Sequence, residues 1–314
     1  MEIQKLVSGY VGAYYRLMRV LIIGCGYIGV PLGAELARLG HQVFGLRRTR
    51  VAEPLLSADG ITPLNADITR PSDLATLPPH YDWIVNCVAS SGGGADAYRS
   101  VYLEGTQNLL EWLRPNPPAR FVYTSSTSVY GQTDGSLVDE ESPAEPTTET
   151  ARILVATEKL LLDTHQQERF PAIILRVAGI YGPDRGHYFK QFLRNEARIS
   201  GQGDRLLNMI HRDDVVGALI AALKNGQPGT IYNAVDDEPV TQLAFFEWLA
   251  GRLGAPLPPF DSEEETTGRK RGVTHKKVSN KKLKTELRYE FKYPTFRQGY
   301  GAGTGLPERS DFST

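Results

Sequence analysis

The chain has 314 residues, 35 of them Lys or Arg and 36 Asp or Glu, for a formal net charge of −1. That balance lacks the basic excess of a general nucleic-acid or membrane-surface binder, so neither partner is expected. With 41% hydrophobic residues the length allows one large or two small domains around a buried core, and no apolar run approaches the roughly 20 residues of a membrane-spanning helix.

Residues 1–18, MEIQKLVSGYVGAYYRLM, show no clear signal-peptide core or cleavage pattern. They read as an N-terminal extension on a cytoplasmic protein, either loosely attached or used to dock a partner.

The segment that follows, RVLIIGCGYIGVPLGAELARLGHQVFGLRR, is the most informative. Arg19–Ile23 is a short β-branched apolar run suited to a buried parallel strand. Gly24-Cys25-Gly26-Tyr27-Ile28-Gly29 comes next, then an amphipathic helix with apolar residues at Ile28, Leu32, Leu36 and Leu39, ended by Gly40. Residues 42–46 read as a second strand. In this context the GxGxxG turn is a dinucleotide fingerprint. Gly24 permits the tight turn, Gly26 lets a pyrophosphate approach the main chain, and Gly29 lets helix pack on strand. Tyr27 and Ile28 complete the turn, where the helix N-terminus offers amides and a positive dipole to phosphate.

The end of the second strand selects the cofactor. An acidic residue there would hold the ribose hydroxyls of NAD and repel a 2′-phosphate. Here the strand ends in Arg47-Arg48, with Arg50 close behind and Glu53 the nearest acid. Guanidinium groups suit phosphate dianions, so NADP(H) is expected over NAD(H). The alternative is that these arginines only solvate the strand end.

The alternation continues. Residues 60–67 form a third strand ending in Asp67-Ile68, and residues 82–90 a fourth. A glycine-rich loop, SSGGGAD, precedes the helix YRSVYLEGTQNLLEWL. RFVYTSS (120–126) is a fifth strand, and PAIILRVAGIYGP contains a sixth. The order implies an α/β, doubly wound parallel Rossmann sheet with ligands at the carboxyl ends of its strands. Cys25 and Cys87 each end an apolar run and no CxxC occurs. They read as reduced, packed thiols, with a redox pair as the alternative.

Further motifs follow in order: YTSSTSVYGQTDG, LRVAGIYGPDR, NMIHRDDVVGALIAAL, IYNAVDDEPVT and KKVSNKKLKTELRYEFKYPTFRQGY. With the glycine turn, they make the chain from Arg19 to about Tyr300 resemble the extended and atypical branches of the short-chain dehydrogenase/reductase superfamily, the NAD(P)-dependent epimerase/dehydratase-like proteins. The resemblance implies a nucleotide domain over 19–178 and a smaller C-terminal substrate lobe over 179–300. Segments near 208–240 would return to the sheet, with residues 230–235 as a returning strand, and 301–314 would be a tail. It also implies that Asp67 and Ile68 flank the adenine, and that Ala89, Ser90 and Ser125 line the cofactor trough. Gly182 and Pro183 would approach the nicotinamide and substrate. Asp214 is expected as a helix N-cap. A homodimer through the helices at 97–113 and 149–164 is a further implication.

The family's chemistry uses a tyrosine acid/base, a lysine four residues later and a serine or threonine that orients the substrate oxygen. The serine is kept as Ser126. Alignment on Glu158 and Pro146 puts Thr150 at the tyrosine position and Leu154 at the lysine position, and none of the fifteen tyrosines has a lysine four residues later. The family's supporting Asn is replaced by Tyr102, ahead of Gly105-Thr106. Tyr130, Tyr102 and Tyr98 are the hydroxyls that could take over, with Ser126, Tyr130 and Tyr102 as the candidate catalytic set; the alternative is that Tyr130 packs, as is usual in this motif, and that Tyr98 and Tyr102 only line the pocket. Without a nearby cation a tyrosine keeps a pKa near ~10 and is a poor base.

On the substrate side, Tyr181, Arg185, His187, Tyr188 and His211-Arg212 suggest a small, sugar-nucleotide-like anion. The basic stretch 268–284 could serve the same end. Residues 268–277 read better as a solvated loop balancing the acidic run 261–265, while Arg185 is assigned to function. His187 and His211 lack the acidic partners of a metal site. Two functions stay open. One is an NADP(H)-binding oxidoreductase or epimerase/dehydratase-like enzyme with a non-standard active site. The other is a catalytically inactive dinucleotide-binding sensor, regulator or assembly factor.

Overall fold

A computed structural model describes residues 17–50, 53–90, 92, 94–261 and 274–301. Residues 1–16 of the N-terminal extension, the tail from 302 and the basic residues 268–273 lie outside it.

Seven strands form one parallel sheet: β1 (Arg19–Ile23), β2 (Gln42–Arg47), β3 (Ile61–Asn65), β4 (Trp83–Asn86), β5 (Arg120–Ser126), β6 (Ala172–Val177) and β7 (Thr230–Ala234). Their order is β7-β6-β5-β4-β1-β2-β3. The chain builds outward from β1 through β2 to β3, then crosses back to β4 on the other side of β1. That reversal opens a crevice at the carboxyl ends of β1 and β4, the usual ligand position in a doubly wound sheet. The central strands are apolar along their length because helices cover both faces; all six residues of β6 are buried.

The helices are α1 (Gly29–Arg38), α2 (Gly105–Leu113), α3 (Glu149–Glu168), α4 (His187–Leu193), α5 (Arg212–Asn225) and α6 (Gln242–Leu253), with shorter pieces between. α1 packs on α5, and α3 packs on the helical run 94–104. That run differs from the single expected helix. Gly94–Tyr98 passes into a π-helical turn, Arg99–Glu104, before α2 begins. Such turns insert an extra residue and re-aim side chains, and here the turn carries Tyr102.

The apolar side chains form two clusters. The larger surrounds the sheet. The smaller gathers Tyr181, Phe192, Ile199, Phe245, Phe246 and Tyr300 from the chain beyond β6. The expected sixth strand splits between them. Ala172–Val177 joins the sheet, whereas Gly179–Tyr181 pairs in parallel with Met209–His211. β7 then returns to the sheet edge beside β6.

The helix N-cap expectation for Asp214 is corrected. His211 caps α5, its Nδ1 accepting from the Asp213 amide at 3.1 Å. Asp214 lies inside the first turn, fully buried. Its carboxylate accepts from the Tyr289 hydroxyl (2.7 Å) and from the amides of Lys292 (2.6 Å) and Tyr293 (3.0 Å). It pins the segment 289–293 to α5.

Candidate functional site

Each glycine of the turn has its own constraint. Gly24 has φ +82°, and a Cβ there would lie 2.7 Å from the Val88 backbone. Gly29 would bring a Cβ within 3.0 Å of the Gly24 carbonyl and of Ile22. At Gly26 the nearest atom to a Cβ would be 3.8 Å away. That residue faces the cleft, where a side chain would take up space needed by a ligand's phosphates. These three environments fit a bound dinucleotide: a tight turn, a bare main chain towards the cleft, and a close helix–strand contact.

The cleft encloses about 380 Å³. One end is bounded by Arg47, Arg48 and Thr49 after β2 and by Asp67, Ile68 and Thr69 after β3. The Asp67 carboxylate is turned onto its own loop, accepting from the amide and hydroxyl of Thr69 at 3.0 and 2.8 Å. Ile68 is held by Asn108, which donates to its carbonyl at 2.9 Å. Ile68 packs where α2 begins with Gly105, which has no Cβ to clash with it. The middle of the cleft is lined by Gly24, Gly26, Tyr27, Ile28, Cys87 and Ala89. Both thiols are free, and burial raises their pKa values, that of Cys25 to about 12. They are packed, poorly ionised groups.

At the other end stand Tyr102, Ser125, Ser126, Leu154 and Arg185. Ser126 Oγ accepts from the Ser128 amide at 3.2 Å. The Tyr102 hydroxyl accepts from the Ser90 amide at 3.3 Å, so Ser90 supports Tyr102 while Ala89 lines the trough. Ser125 Oγ donates to Glu158 at 2.5 Å. Leu154 places an apolar wall where the resemblance expects a lysine. Thr150 is buried and is not part of the wall. Gly29, Gly182 and Pro183 also stand outside the lining. Pro183 acts through Tyr27, whose hydroxyl donates to its carbonyl at 2.8 Å and whose ring lies 4.9 and 5.5 Å from the guanidinium carbons of Arg185 and Arg212. Gly182, at φ +141°, leaves room for Tyr27 and His211 beside it.

Tyr130 must be corrected as a catalytic candidate. It is fully buried, and its hydroxyl donates to Asn233 at 2.9 Å and accepts from Arg176 at 2.8 Å. Arg176 is bound in turn by both oxygens of Glu158, at 2.7–3.2 Å. Burial opposes the Arg176 charge, but the Glu158 carboxylate outweighs it and keeps the guanidinium protonated. Burial raises the Tyr130 pKa despite Arg176. Tyr130 therefore belongs to a buried polar network, away from the cleft. Tyr98, its ring 4.9 Å from that of Tyr102, is likewise a packing neighbour.

A second cavity of about 270 Å³ opens between the sheet and the smaller apolar cluster, and Ser126 borders both cavities. Its wall contains a residue missed in the sequence. Lys276 falls in the stretch read as a solvated basic loop, yet it is 3% exposed. Asn208 fixes it, donating to the Lys276 carbonyl and accepting from the Val278 amide, both at 2.9 Å. The only legible sign was the apolar Val278 two residues later, which pairs with Val138.

Among the described residues no helix is long and apolar enough to cross a membrane. Residues 20–234 match the NAD dependent epimerase/dehydratase family. Protein YeeZ of Escherichia coli is 28% identical over 285 residues, covering 88% of this chain and 97% of the relative. A 3-diazoavenalumate denitrifying reductase of a Streptomyces species is 26% identical, covering 90% and 99%. In structure, the dTDP-glucose 4,6-dehydratase DesIV of Streptomyces venezuelae, solved with NAD and TYD bound, superimposes with a TM-score of 0.78. It shares 24% identity, and the match covers 90% of this chain and 94% of DesIV.

Proposed function

Because this chain belongs to the NAD dependent epimerase/dehydratase family, we propose that it is a dinucleotide-dependent oxidoreductase that prefers NADP(H) and acts on a small carbonyl or alcohol. The observation that carries the reading is the pair of cavities meeting at Ser126. One suits a dinucleotide, the other a small molecule, and of the two residues they share, Ser126 and Ile180, Ser126 is the serine the family uses to orient a substrate oxygen.

Within this reading Gly24, Gly26 and the start of α1 hold the pyrophosphate, and Arg47 and Arg48 hold a 2′-phosphate. Ala89 and Ser125 border the trough. The nicotinamide, when bound, supplies or accepts a hydride. Ser126 donates a hydrogen bond to the substrate oxygen, its own oxygen remaining fixed by the Ser128 amide. Tyr102 is the hydroxyl left at the same end of the cleft to hold or pass a proton. No cation stands at position 154 to lower its pKa, so the proton step is slow at neutral pH.

A second reading, a dinucleotide-binding sensor or assembly factor without hydride transfer, is favoured by one feature: Leu154 and Thr150 remove both partners of the usual proton relay. Calorimetric binding of NADPH, NADP⁺, NADH and NAD⁺, repeated with Arg47→Ala/Arg48→Ala, tests the cofactor. Tight NADP(H) binding that loses its preference in the double variant supports the assignment, and failure to bind any dinucleotide overturns both readings. Oxidation of NADPH by a carbonyl panel, abolished by Ser126→Ala, separates the first reading from the second.

A further inference from the structure

The cavity beyond Ser126 is lined by one deeply buried ammonium, that of Lys276. Its lining includes Lys276, Arg205 and His187, and no Asp or Glu among the described residues. Arg205 is engaged by the Tyr188 hydroxyl. The Lys276 ammonium donates to the Tyr130 carbonyl at 2.8 Å. Burial pushes its pKa down to about 8, and no carboxylate among the described residues pairs with it. In the same wall Ser128 Oγ is buried without a hydrogen-bond partner among the described residues. Tyr188, Phe245 and Tyr300 give the rest of the cavity an aromatic surface.

A buried ammonium without a counter-charge is costly, and a ligand that brings the missing charge recovers that cost. An unpartnered hydroxyl beside it adds a donor for the same anion. The volume lies near the small end of ligand pockets, which run from roughly 300 to 1,000 Å³, and aromatic walls suit a flat ring. We infer that this cavity binds the carboxylate of a small ring-bearing organic acid, with Lys276 pairing its charge and Ser128 donating a hydrogen bond. The inference rests on reading the cavity as the substrate side of the dinucleotide site. It places the acid group away from Ser126 and the reacting carbon towards it.

Titration calorimetry on the full chain tests this, with benzoate as probe and benzyl alcohol as its neutral counterpart. Benzoate should bind at least tenfold more tightly at pH 7.5, and Lys276→Met should erase that preference. Equal binding of the two probes, a preference that survives in Lys276→Met, or binding of inorganic phosphate but not benzoate overturns the inference.

A second measurement needs no variant. At pH 8.5 pairing with benzoate should draw a proton onto Lys276, read from the dependence of the binding heat on buffer ionisation enthalpy. Among the described residues the other titratable groups facing the cavity are Tyr181, His187, Tyr188, Arg205 and Tyr300, and side chains of these types ordinarily titrate away from pH 8.5. Benzoate binding without proton uptake overturns the role of Lys276. Dinucleotide titrations in the same series keep the two claims apart. A chain that selects benzoate but binds no dinucleotide loses the proposed function and keeps the acid subsite.

Discussion

Glu158 accepts the Ser125 hydroxyl at 2.5 Å while its two oxygens grip the Arg176 guanidinium from 2.7 Å. One carboxylate on α3 thus joins the edge of the cofactor cleft to the buried network containing Tyr130. Removing it as Glu158→Ala leaves a buried guanidinium unpaired. Breaking one partner of a buried pair costs about 3–5 kcal/mol. Denaturant unfolding should show a loss of that size, and a loss below about 1 kcal/mol would mean that Arg176 finds another partner.

The glycine turn separates folding from binding. Gly24→Ala meets the Val88 backbone and a positive φ at once, a backbone conflict of about 1–3 kcal/mol or more. It should lower the melting temperature. Gly26→Ala meets nothing closer than 3.8 Å, so the melting temperature should stay within about 2 °C, while dinucleotide affinity measured by calorimetry falls by at least tenfold.

Tyr130→Phe removes one donor to Asn233 and one acceptor from Arg176. Stability should fall by about 1–3 kcal/mol. The kcat of any NADPH-dependent turnover should remain within about twofold of the unaltered protein, unlike that of Ser126→Ala. A kcat collapse in a folded Tyr130→Phe protein would restore Tyr130 as a catalytic residue.

Asp236 is 1% exposed. Burial, followed by the charges of Glu238, Asp237 and Asp214, raises its pKa to about 8 despite a hydrogen bond from the Glu238 amide. The folded protein therefore holds a proton that the unfolded chain has released above an ordinary carboxyl pKa of about 4. The associated stability is complete below pH 4 and is lost as the pH rises towards 8. Asp236→Asn should remove this loss. Unfolding free energies measured from pH 4 to 8.5 should fall less steeply in the variant, and parallel curves would refute the assignment.

The first two strands were readable because a buried parallel strand and a fingerprint turn are local patterns. Arg19–Ile23 is the observed β1, and the second strand extends the expected 42–46 by Arg47 alone. The bounds drifted where the chain turns for tertiary reasons. β4 stops at Asn86, short of the expected residue 90. Tyr130 was a catalytic candidate because it lies four residues after Ser126, yet beyond the 3-10 turn at Thr127–Val129 its hydroxyl is taken by Asn233. Lys276 was misread for the opposite reason. Its neighbours are basic, and its burial depends on Asn208 and Tyr130, both distant in sequence.

The strand order also sets a schedule for synthesis. β7 completes the sheet against β6, but residues 178–229 must be made between them. A nascent chain that has just released Val177 holds six of the seven strands and an open β6 edge, whose six residues are all buried in the finished protein. An uncovered apolar edge is a template for pairing with other chains. The interval in which the first part of the smaller cluster is being synthesised is therefore when this protein is most exposed to aggregation on the ribosome, and the exposure ends when Ala234 is free to dock.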